Sequence, residues 1–130
     1  MGNEKNNNEY MSYEQILKLE PIVLASYLEQ KKIPVNVMVT NQVEAEIADK
    51  LARAIADNLS FLNSLLSYAT ALKRIAARKG KTFEYEDAVD REQIIKNAIR
   101  GCDTQYKAIS KSISLYMDSL NKEKGILKRQ

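Results

Sequence analysis

Between Pro34 and Gly125 the chain contains no proline and only two glycines, Gly80 and Gly101. Proline and glycine are the strongest punctuators of helices, so this stretch is built to form long ones. Its apolar residues follow alternating steps of four and three: Ile47, Leu51, Ala54, Asn58, Phe61, Leu65, Tyr68, Leu72 and Ile75. All but Asn58 are apolar, which is the a/d seam of a heptad repeat. A second stripe, Ile55, Leu59, Leu62, Leu66 and Ala69, lies beside the first. The apolar face is therefore wider than a two-stranded seam requires, and it predicts a bundle of three or more helices.

The same test further along gives Ile95, Ile99, Cys102, Tyr106, Ile109, Ile113, Tyr116 and Leu120, all apolar or aromatic. At a rise of ~1.5 Å per residue each helix would be roughly 50–60 Å long. The spacing predicts helices over about 41–79 and 90–124, within a two-helix domain at 41–128. Asn41 with Glu44 marks the first start, and Asp90 with Gln93 the second. Gly80, after Arg78-Lys79, reads as the glycine that stops the first helix. The connection Gly80–Val89 returns the chain antiparallel.

Upstream, Ser12 and Gln15 form a capping box ahead of Ile16, Leu17 and Leu19. Pro21 suits the first position of a fresh helix running to Lys31, and Ile33-Pro34 ends that region. Residues 1–11 read as a disordered tail, 12–34 as a short N-terminal helical segment and 35–40 as a linker. Met1-Gly2 superficially opens a myristoylation site, but Asn6 stands where Ser or Thr is expected. The expected fold is thus all-α: a long antiparallel, coiled-coil-like hairpin with a short N-terminal helical segment, packed into an oligomeric helical bundle. Two helices cannot bury two wide faces between them, so the expected first partner is a second copy of the chain. Asn58, the polar seam position, then fixes register or faces water.

Function classes are narrowed by what is missing. No histidine occurs, which removes the commonest general base and most transition-metal sites. Neither a phosphate-cradling glycine-rich loop nor a nucleophile elbow is present. Cys102 lies inside the seam and reads as a core residue, and a lone cysteine suits a reducing, cytoplasmic setting. Glu84, Glu86, Asp87 and Asp90 lack the spacing of a calcium loop and suit the start of a helix instead. No apolar run approaches the ~18 residues of a membrane span. We therefore expect no enzyme, no cofactor, no metal and no membrane partner.

Basic residues gather in three places, within a formal net charge of +3. Arg74, Arg78, Lys79 and Lys81, with Lys73, crowd the connection. Lys96, Arg100, Lys107 and Lys111 form a stripe, and Lys122, Lys124, Lys128 and Arg129 a tail. In an antiparallel hairpin the tail falls near Glu44, Glu46 and Asp49, and the tip near Glu84–Asp90, which offsets much of this charge. Nucleic acid bound by the stripe would be held through its phosphate backbone, without base readout. Phe83 and Tyr85 are the aromatics free to stack.

Three functions follow as expectations. The first is a non-catalytic oligomeric binding or assembly protein acting through surfaces and tips. The second is a nucleic-acid accessory factor. The size, the two long helices and the basic connection Arg78-Lys79-Gly80-Lys81 resemble the small helical phage recombination mediators, which load a recombinase onto single-stranded DNA. That resemblance implies a phage or mobile-element accessory protein binding the DNA backbone; no site residue is carried over from it. The third is a small inhibitor sequestering an anionic nucleotide or a host defence protein, with Arg74, Arg78, Lys81 and Arg100 as anion contacts.

Overall fold

A computed structural model describes residues 11–34 and 38–129, with side chains as far as Lys124. The tail, apart from Met11, and linker residues 35–37 lie outside the described residues, as does the Met1-Gly2 motif. Among those described, 86% are helical and none is in a strand. Four helices follow in order: α1 (Tyr13–Leu17), α2 (Pro21–Gln30), α3 (Gln42–Arg78) and α4 (Thr82–Arg129). The two long helices pack against each other as a hairpin.

Local chemistry explains each start. The Ser12 hydroxyl accepts from Gln15 N–H at 3.1 Å, and the Gln15 side chain accepts from Ser12 N–H at 2.9 Å. This reciprocal box satisfies two donors that a helix start leaves open. Pro21 opens α2, where its missing N–H is no loss. The Asn41 side chain caps α3 by accepting from Glu44 N–H at 2.9 Å. Glu44 in turn accepts from the Thr40 hydroxyl and from Thr40 N–H, and these bonds hold its carboxyl below the ordinary range.

The connection is shorter than the sequence suggested. It comprises Lys79, Gly80 and Lys81, and Thr82 already begins α4. The segment Thr82–Val89, expected in the loop, is helical. It holds neither glycine nor proline, and Glu84 in its first turn complements the helix dipole. Its helicity escaped the heptad test because Phe83, Tyr85 and Val89 point outward. The C-terminal boundary moves too: α4 continues through Gly125 to Arg129 rather than stopping near 124.

Gly80 makes the tight turn possible. Its φ is +68°, in the left-handed region. Gly80 N–H donates to Ala77 O at 3.2 Å and Lys81 N–H to Ala76 O at 2.9 Å, which is the Schellman pattern that closes a helix end. A Cβ at Gly80 would meet nothing within 4 Å. Gly80→Ala is therefore opposed by backbone strain alone, and we expect it to lower stability by about 1–2 kcal/mol. Urea unfolding checks this; an unchanged midpoint would contradict the strain.

The residues divide into two compact units: the described residues up to Lys31 with Phe61–Ile99, and Lys32–Ser60 with Arg100 onward. In the first, Ile16, Leu17, Leu24 and Leu28 are buried with Leu62, Leu65, Ala69, Ala76, Ala88 and Ile95. The Tyr13 ring lies 6.0 Å from Phe61 and 6.2 Å from Tyr68. The N-terminal helices thus pack on the long helices of their own chain. In the second unit Ala45, Ala48, Ala52 and Ile55 are buried with Cys102 and Ile109, and Gln105 donates to Ile33 O at 2.7 Å.

The buried stripe on α3 corrects the seam read from sequence. Leu65 alone of that set is fully buried. Leu51, Ala54, Asn58 and Phe61 are half-buried, while Ile47, Tyr68, Leu72 and Ile75 are exposed. The neighbouring positions, from Ala48 through Ala52, Ile55, Leu62 and Ala69 to Ala76, close the hairpin instead. Alanines dominate that row because small side chains let two helices approach closely. On α4 the seam is as read at Ile95, Cys102 and Ile109, with Ile99, Ile113 and Tyr116 half-buried, but Tyr106 is exposed.

Candidate functional site

The first unit concentrates its polar chemistry around Arg91 and Glu92, both buried on α4. Glu92 stands three residues before Ile95, where the heptad seam extended backwards would place an apolar residue, and Arg91 is its neighbour. The sequence reading passed over them; a charge at the seam position of Glu92 was the signal available.

Glu92 accepts from the Thr70 hydroxyl at 2.6 Å and pairs with Lys73 Nζ at 2.9 Å. Burial pushes its carboxyl up, but the hydrogen bonds from Thr70 and Lys73 and the charges of Lys73 and Lys96 outweigh this. The net result is a carboxyl below the ordinary range. A depressed folded-state pKa adds stability above the unfolded value, and this is lost as pH falls through the folded value. The thermal midpoint of the wild type should therefore fall on acidification below about pH 4. Glu92→Gln should start lower at neutral pH and fall less. Parallel profiles for the two proteins would rule this out.

Arg91 ties the N-terminal helices down. One terminal nitrogen pairs with Asp87, and the other donates to the Leu19 carbonyl, beyond the end of α1. Its Nε–H is buried without an acceptor. Arg91 also lines a cavity of about 270 Å³ at the hairpin tip. Leu17, Ala69, Leu72, Ile75, Ala76 and Ala88 form its apolar surface, and Lys79, Lys81, Glu84 and Asp87 join Arg91 on the polar side.

The basic residues singled out from sequence are dispersed. Lys79 and Lys81 share the tip cavity; Arg74 and Arg78 are exposed on the closing turns of α3, and Lys96 is exposed on α4. Arg100, Lys107 and Lys111 belong to the second unit, where Lys107 pairs with Asp103 at 2.9 Å. Among the described residues, Arg74, Arg78, Lys79, Lys81, Lys96, Arg100 and Lys111 form no ion pair. The expected offset of the tip by Glu84–Asp90 is thus not made by direct pairing; Asp87 is committed to Arg91. Phe83, 79% exposed, and Tyr85 stand on the first turn of α4 instead of in a loop.

In the second unit the Cys102 thiol donates to Ile55 O at 3.4 Å, and burial pushes its pKa up. The half-buried Asn58 side chain partly offsets this by favouring the thiolate. Among the described residues no three Cys, Asp or Glu side chains form a group that could hold a metal ion, and no helix is long and apolar enough to cross a membrane.

No protein-family model, curated protein or solved structure matches this chain.

Proposed function

We propose that this protein is a non-catalytic binding and assembly module that works as a homo-oligomer. The supporting observation lies in the second unit. Val43 and Ile47, one turn apart on α3, and Leu115 on α4 are between 51% and 66% exposed. Large apolar side chains grouped on helix faces are the usual mark of an association surface, whereas scattered ones are not. A shallow groove bordered by Val39, Thr40, Leu115, Tyr116 and Leu120 lies in the same unit. A second copy presents the same apolar residues and so supplies a self-complementary partner.

The wild type should sediment as an oligomer, and Ile47→Glu or Leu115→Glu should reduce it to monomer with helicity unchanged. Both positions are exposed, so neither charge enters a core. A wild type that stays monomeric at every accessible concentration would sink the proposal.

A second reading, phosphate binding at the tip, is favoured by the exposed Phe83 beside cations that make no ion pair. It predicts salt-sensitive retention of single-stranded DNA, lost in the double variant Arg74→Glu, Arg78→Glu. No retention at low salt would exclude it.

A further inference from the structure

We infer that the cavity at the hairpin tip is a binding site for a small amphipathic carboxylate. Two observations carry this, and neither depends on self-association.

The cavity has an apolar body. Buried Leu17, Ala76 and Ala88 line it together with Leu72 and Ile75, which remain 39% and 42% exposed. Exposed leucine and isoleucine against a floor of alanines leave a concavity that water fills poorly, and an alkyl chain or a small ring would displace that water. At about 270 Å³ it falls just under the range of roughly 300–1,000 Å³ typical of drug-sized ligands. The occupant is correspondingly small.

Its polar side favours an anion. Lys79, Lys81 and Arg91 face two carboxylates, Glu84 and Asp87, and Asp87 is already paired to Arg91. Two lysines against one free carboxylate leave a positive balance. Neither lysine forms an ion pair among the described residues.

The Arg91 side chain is 9% exposed and lines this cavity, and its terminal nitrogens are engaged by Asp87 and Leu19 O, so it fixes positive charge in the wall while the two lysines remain available. A carboxylate beside Lys79 and Lys81, with its chain over Ala76 and Leu72, meets the positive charge and covers the apolar wall together.

The test is calorimetric titration of the full-length protein with octanoate, octan-1-ol and octylammonium. Octanoate should bind at least about tenfold more tightly than the other two, a difference of about 1.4 kcal/mol. Lys81→Glu, at an exposed position, should weaken octanoate and leave octanol unchanged. Ala76→Leu should abolish binding by filling the floor, with circular dichroism confirming that the helices persist. Absence of octanoate binding, equal affinity for octanol, or octanoate binding indifferent to both substitutions would overturn the assignment. Sedimentation of Lys81→Glu should match the wild type, which keeps this result separate from the association proposal.

Discussion

Leu65→Asp should abolish cooperative unfolding of the chain, with most helical signal gone at room temperature. Leu65 is completely buried in the first unit. A carboxylate there is either charged without a partner or protonated at a steep cost. Breaking the pairing of a buried charge already costs about 3–5 kcal/mol, and whole domains are stable by only about 5–15 kcal/mol. Ile109→Asp makes the same demand on the second unit, where Ile109 is 1% exposed. Leu72→Asp is the informative control. The heptad reading treats Leu72 as equivalent to Leu65, whereas the structure leaves it partly in water. It should lose no more than about 1 kcal/mol. Far-UV circular dichroism and urea melts of the three variants decide between the two seams. Full helicity in Leu65→Asp would remove the core described above.

Removing Arg91 should have the next largest effect, and a local one. Arg91→Met keeps the length of the side chain but deletes the donor to Leu19 O and the partner of Asp87. Hydrogen bonds from charged groups contribute about 1.5–3 kcal/mol each. Asp87 is partly exposed and rehydrates, so the net loss expected is about 2–3 kcal/mol, near the cost of that one anchoring bond. The effect should concentrate at the N-terminal helices. Limited trypsin digestion should cut after Lys18 faster than in the wild type, while cleavage within α3 is little changed. Asp87→Asn should be milder, because the Leu19 contact survives. Equal digestion rates and equal urea midpoints would show that Arg91 does not hold this segment.

Capping was the most legible part of the fold. Ser12 with Gln15, Asn41 with Glu44 and the stop at Gly80 depend on residues within a few positions of one another, so their chemistry is complete in the sequence. Periodicity likewise disclosed two long helices. It misplaced the buried row on α3, because Ile47–Ile75 and Ile55–Ala69 are adjacent stripes of similar apolarity. Which one faces α4 depends on how closely the helices approach, and the alanine row permits the closer approach. The first turns of α4 were missed for a related reason: outward-facing Phe83, Tyr85 and Val89 show no core pattern.

The candidate site was less legible. Lys79 and Lys81 were visible as part of a basic connection, but nothing local links them to Leu17, Ala76 or Arg91. Arg91 reaches Leu19 across a separation of 72 positions, and no periodic test spans that distance.

By itself, then, the sequence determined an all-α chain of two long helices with a glycine-closed turn between them. These follow from helix propensity, capping and the scarcity of breakers, all of which act over a few residues. Only the tertiary structure decided which apolar stripe is core, that α1 and α2 pack on their own chain, and that Arg91 and Glu92 are buried with partners. Those outcomes turn on side-chain volume and on charge satisfied through space, and neither is encoded at any one position.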